Sequence, residues 1–132
     1  MRRTVRREMR RREEGKEESE SQITMHEMER AINNSAPNKS AGEDNIPYEL
    51  IQHLGPKAKE LLLTLYNKCW KGKGIPRKWR TAIIKPLLKD DKDPKCKTSY
   101  RPISLMSCLG KILERIIAER LIYVLETRIQ LT

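Results

Sequence analysis

Between Lys71 and Arg101 the chain carries eleven basic side chains, Lys71, Lys73, Arg77, Lys78, Arg80, Lys85, Lys89, Lys92, Lys95, Lys97 and Arg101, against three acids, Asp90, Asp91 and Asp93. Cations at that density suit the neutralisation of phosphate oxygens: guanidinium forks make paired, charge-assisted bonds, and ammoniums act as point charges on flexible stems. The excess is local. Of a net charge of +10 over 132 residues, this block supplies +8 and residues 1–20 supply +2, while the rest balances at nine basic and nine acidic side chains. A block of this kind is the pattern of a phosphate-binding surface rather than of general solubility, with a solvated basic loop as the alternative.

Other chemistries find little support. Cys69, Cys96 and Cys108 are odd in number, lack a C-x-x-C spacing and have only His26 and His53 beside them. That is neither a disulfide framework nor a zinc site, so the thiols are expected to be reduced and in or near the core. Asp44, Asp90, Asp91 and Asp93 are the only aspartates, and the last three fall in a polar Asp-Pro turn, which explains them without a metal. No G-x-x-x-x-G-K-[ST] loop, Ser-His-Asp set or pair of carboxylates in apolar surroundings is present. The longest apolar run, Leu121 to Leu125, is five residues, against roughly 20 for a membrane-spanning helix. The opening MRRTVRREMRRR has no apolar stretch, and the acids of EEGKEESE follow it. Neither a secretory nor a mitochondrial leader is expected, which points to nucleus or cytoplasm.

The elements that must position the basic block come next. Residues 1–21 are read as a disordered Arg/Glu-rich tail or a frayed solvated helix, and residues 22–132 as the structured part. Thr24 with Glu27 fits a capping box ahead of a helix over 25–33. NNSAPNKSAGEDN is loop. Pro47 suits a first helical turn continued by Tyr48, Leu50, Ile51 and Leu54, with Gly55 as C-terminal cap. Pro56 opens a helix with Leu61, Leu62, Leu65, Tyr66, Cys69 and Trp70 on its apolar side, stopped at Gly72 and Gly74. WRTAIIKPLL reads as extended around Ala82, Ile83 and Ile84, KDDKDPKCKTS as a polar connection, and YRPISLMS as extended again. Ser107 caps a final helix whose stripe runs through Leu109, Ile112, Leu113, Ile116, Ile117, Leu121, Val124 and Leu125. The fold class is α+β, mainly helical, with one short antiparallel hairpin and a long C-terminal amphipathic helix.

Three blocks in order, NKSAGEDNIPYEL, IPRKWRTAIIKPLLKDDKDP and SYRPISLMSCLGKILERIIAERL, resemble the fingers region of LINE-type (non-LTR, jockey-like) retrotransposon reverse transcriptases over about residues 24 to 127. The resemblance implies partial right-hand polymerase fingers, in which a basic hairpin covers the incoming nucleotide and template. It assigns triphosphate contact to Arg101 of YRPIS, shared with Lys95 or Lys97. Arg77, Lys78, Arg80, Lys85, Lys89 and Lys92 then face nucleic acid, and NKSAGEDNIP belongs to a segment associated with template contact. RNA template and DNA/RNA duplex are the implied partners.

A polymerase of this type also needs palm aspartates that hold two metal ions. No aspartate here follows the final helix, and Leu88-Lys89-Asp90-Asp91 lacks the aromatic and the flanking apolar strands of the family's Asp-Asp turn. The expectation is therefore a chain truncated before the palm, with no catalytic residue, no metal site and no activity alone, the Mg²⁺ belonging to the complete family enzyme. Two other readings stand beside it. One is a self-sufficient basic nucleic-acid-binding module; the other is an interaction protein whose helix at 107–127 docks on the absent palm or on a second copy.

Overall fold

The computed structural model describes residues 4–11, 13 and 21–129. Residues 4–11 and 13, in the segment expected to be disorder or solvated helix, are helical and nearly all exposed. The rest of that expectation, over 1–3, 12 and 14–20, falls outside the described residues.

Seven regular elements and one 3₁₀ turn follow from residue 25: α1 (Met25–Asn33), α2 (Tyr48–Gln52), α3 (Pro56–Trp70), the single turn α4 (Arg77–Arg80), β1 (Ile83–Leu88), the 3₁₀ turn Lys97–Ser99 with β2 (Tyr100–Leu105), and α5 (Cys108–Ile129). α1 begins where its sequence says it should. The Thr24 hydroxyl accepts from the Glu27 amide, and the Glu27 carboxylate accepts from the Thr24 amide, closing the capping box. Its apolar spacing then buries Met28, Ala31 and Ile32.

The core is aliphatic around three aromatics, Tyr48, Tyr66 and Trp79. Met28, Ala31 and Ile32 of α1 meet Ile51 of α2, Leu62 and Tyr66 of α3, and Cys108, Ile112, Leu113 and Ile116 of α5. Tyr66 is fully buried, and its hydroxyl donates to the Leu109 carbonyl at 2.7 Å. Trp79 meets it edge-on with ring centroids 5.5 Å apart. Burial pushes the Tyr66 phenol far above its ordinary value.

Several local expectations change in detail. α2 stops at Gln52, Pro47 precedes rather than opens it, and Gly55 is the N-cap of α3 instead of a C-terminal cap. Leu50, Leu61 and Leu65 are exposed rather than inward, because the body packs on Tyr48 and Ile51 of α2 and on the Leu62 and Tyr66 edge of α3. Trp79 and Arg80 form a helical turn, and the strand begins at Ile83. Cys96 is exposed on the hairpin loop, whereas Cys108 is buried and Cys69 half-buried. Burial raises both the Cys108 and the Cys69 thiol.

The α5 stripe divides. Ile112, Leu113 and Ile116 are buried, while Leu121, Ile122, Tyr123, Leu125 and Ile129 beyond them are about half exposed or more. Among the described residues no helix is long and apolar enough to cross a membrane.

Candidate nucleic-acid interface

β1 and β2 pair antiparallel, from Ile83 opposite Leu105 to Leu88 opposite Tyr100. The amide of Lys89 donates to the Ser99 carbonyl at 2.8 Å and carries the register one step further. Alternation from that bond puts Pro86 opposite Pro102 at a non-hydrogen-bonded pair, where the missing amides would have pointed away from the partner strand. Prolines there cost the ladder nothing and discourage a third strand. Pro86 thus sits inside the strand, within the run WRTAIIKPLL that was expected to be extended.

Because opposite residues share a face, Ile83, Lys85 and Leu87 lie with Leu105, Ile103 and Arg101. Ile83, Ile103 and Leu105 are half-buried, so this face is anchored at its near end; Lys85, Leu87 and Arg101 continue it into solvent. Lys85 and Lys89 flank Arg101 diagonally across the strands, at the roughly 7–8 Å spacing of such neighbours. The opposite face, Ile84, Pro86, Leu88, Pro102 and Ser104, carries no charge and is exposed.

The connection at 89–99 is tied by its own polar groups. The Tyr100 hydroxyl donates to the Pro94 carbonyl at 2.7 Å, the Lys95 amide to the Asp93 carboxylate at 3.0 Å, and the Cys96 amide to the Asp93 carbonyl at 3.1 Å. Asp91 takes a left-handed φ of 58°. Lys89 Nζ donates to the Thr98 carbonyl at 3.1 Å, while Lys92, Lys95 and Lys97 stand exposed. Asp90, Asp91 and Asp93 therefore serve an exposed turn. Among the described residues no three His, Cys, Asp or Glu side chains gather in a way that could hold a metal ion.

α4 supplies the other half of the surface. Trp79 is buried against Tyr66, and Gly110 of α5 lies close enough that a β-carbon there would stand 3.1 Å from Trp79 Cβ. With that one residue anchored, Arg77, Lys78 and Arg80 are left exposed on the same turn. The structure thus brings Lys85, Lys89 and Arg101 to one face, holds Arg77, Lys78 and Arg80 on a rigid turn, and puts Lys92, Lys95 and Lys97 on the hairpin loop.

No family model matches the chain. Among curated proteins it is 36% identical over 99 residues to a probable RNA-directed DNA polymerase from transposon BS of Drosophila melanogaster, a match covering 75% of this chain and 11% of that protein. It is 34% identical over 102 residues to the RNA-directed DNA polymerase from mobile element jockey of the same species, covering 77% and 11%. A retrovirus-related Pol polyprotein from type-1 retrotransposable element R1 of Bradysia coprophila matches at 34% identity over 100 residues, covering 75% and 10%. The chain belongs to the non-LTR retrotransposon RNA-directed DNA polymerase family. It spans about a tenth of the length of these relatives.

In this polymerase segment, the long-range contacts that place the hairpin carry no signal in the local sequence. Gly42 packs so closely beneath the β2–α5 junction that a β-carbon would lie 2.6 Å from Met106 C and Ser107 N. The Ser107 hydroxyl, expected as a cap, accepts weakly from the Gly110 amide at 3.4 Å and donates to the Asp44 carboxylate at 2.7 Å. The block NKSAGEDNIP is therefore a brace for the strand-to-helix corner. Arg120 is equally silent in the sequence. Its guanidinium makes two 2.7 Å bonds to the Glu27 carboxylate, donates to the carbonyls of Ser21 and Gln22, and lies 5.5 Å from the Trp70 ring centroid. Its hydrogen bond holds Glu27 below the ordinary carboxylate value. The Asp44–Ser107 and Glu27–Arg120 partners are 63 and 93 residues apart in sequence, and no local pattern signals them.

Proposed function

We propose that this chain supplies the nucleotide- and template-facing fingers of an RNA-directed DNA polymerase of a non-LTR retrotransposon, and that the catalytic aspartates and their Mg²⁺ ions lie in protein outside it. The observation that carries this is the single cationic face of the β1–β2 hairpin, in a chain related to such polymerases. Arg101 grips the triphosphate of the incoming nucleotide, with Lys95 or Lys97 sharing that charge. Lys85, Lys89, Lys92, Arg77, Lys78 and Arg80 hold the template backbone by charge and without base reading, since the exposed loop and strands offer no base-reading helix. The four aspartates present do not fit a two-metal site: three serve an exposed turn and Asp44 is bonded to Ser107. No phosphoryl-transfer step therefore runs through this chain's own residues, and alone it is inactive.

Two assays test this. Labelled single-stranded RNA should bind at about 50 mM salt, with log affinity falling by about 0.7 per neutralised phosphate per decade of salt. No binding there overturns the reading of the hairpin. Primer extension on an RNA template with Mg²⁺ should give no product, and template-directed DNA synthesis by the purified chain would overturn the proposed inactivity.

A further inference from the structure

A second cationic site lies off the hairpin. At the C-terminal end of α3 a cleft of about 280 Å³ is lined by Gln22, Thr64, Asn67, Lys68, Lys71 and Lys73. We propose that this cleft holds the phosphodiester backbone of a nucleic-acid strand, extending the track that begins at α4 and the hairpin. The inference rests on the reading of the chain as a nucleic-acid-contacting segment.

The chain geometry forces the cations together. The Lys71 amide donates to the Asn67 carbonyl at 3.0 Å, the Gly72 amide to the Cys69 carbonyl at 3.1 Å, and the Lys73 amide to the Lys68 carbonyl at 3.1 Å. The last bond closes a helix-ending turn over residues five apart, made possible by Gly72 at φ 82° and continued by Gly74 at φ 94°. Lys68 and Lys73 therefore start from adjacent backbone, with Lys71 between them. The floor is fixed: the Asn67 side chain accepts from the Ile23 amide at 2.7 Å and donates to the Ile23 carbonyl at 3.1 Å.

The charge is left over. A helix C-terminus offsets roughly half an elementary charge, so three lysines leave an excess of more than two. No carboxylate lines the cleft, and among the described residues no ion pair engages these lysines. No aromatic ring lines it either, so nothing stacks a base; what it can hold is phosphate. Four residue steps separate Lys73 from Arg77, which bounds their Cα separation at about 14 Å. One strand can reach both.

The test is the salt dependence of binding of the full chain to a labelled single-stranded RNA. K68Q/K71Q/K73Q should flatten the slope of log affinity against log salt by about 2, or about 0.7 for each phosphate that is no longer neutralised, with its urea midpoint unchanged. The K68R/K71R/K73R variant should keep the parent slope. An unchanged slope in the glutamine variant, where K85Q/R101Q does flatten it, would overturn the cleft and leave the hairpin reading standing. Absence of binding by the parent chain at about 50 mM salt would overturn both.

Discussion

The helical body and the β1–β2 hairpin are held by different forces. In the body, Met28, Ile32, Tyr66, Ile112 and Ile116 lose nearly all contact with water, and Arg120 pins the start of α1 to α5. The hairpin has two strands, no third partner among the described residues, and a near-end anchor of only half-buried Ile83, Ile103 and Leu105. A two-stranded ribbon is marginal alone, so it depends on the body through Trp79 and the Gly42–Ser107 corner. Stability is concentrated in one region and charge in the other, and substitutions should separate accordingly.

The largest effect belongs to the core. Ile112→Ala removes a buried side chain at the α1–α5 contact and should cost about 2–5 kcal/mol, read as a large fall in the urea midpoint followed by Trp70 and Trp79 fluorescence. Next comes the ion pair. Arg120→Ala strands Glu27 and two backbone carbonyls and should cost about 2–3 kcal/mol in the same assay.

That pair also predicts a pH dependence. Glu27 has its folded value lowered beneath the ordinary 4.5, so its stabilisation is present above about pH 4.5 and is lost as pH falls through the folded value. Unfolding of the parent chain at a series of pH values should show this acid loss, and R120A should lack that part of it.

Gly42→Ala drives a β-carbon to 2.6 Å from the Met106–Ser107 backbone and should cost about 1–3 kcal/mol. Amide exchange should then quicken in β2 more than in α1, because the corner carries the hairpin. The smallest stability effect is expected where the charge sits. K85Q/R101Q should leave the midpoint within about 0.5 kcal/mol while weakening RNA binding and flattening its salt slope by about 0.7 for each phosphate left without its cation. A midpoint that fell as far as in Ile112→Ala would break the division between the two regions.

Much of this division was legible in the sequence for physical reasons. Capping boxes, a proline at the first turn of a helix and left-handed glycines act within a few residues, so α1, the start of α3 and its stop at Gly72 could be read directly. The hairpin followed from two extended runs about a polar connection. What could not be read was which apolar residues find a partner. Leu61 and Leu65 fit the α3 stripe as well as Leu62 and Tyr66 do, yet the body covers only the latter pair. The Arg120–Glu27 and Asp44–Ser107 bonds arise from tertiary approach across 93 and 63 residues, beyond any local pattern. For the interface, the charge block named the residues, whereas the common face of Lys85, Lys89 and Arg101 required the register.

Hydrogen–deuterium exchange of the full chain with and without single-stranded RNA tests the central claim most directly. RNA should slow exchange at 77–80 and across 85–101, while the already protected core around Met28, Ile32, Ile112 and Ile116 stays as it was. Protection that appeared along the exposed half of α5, at 121–129, with none in the hairpin, would contradict the account.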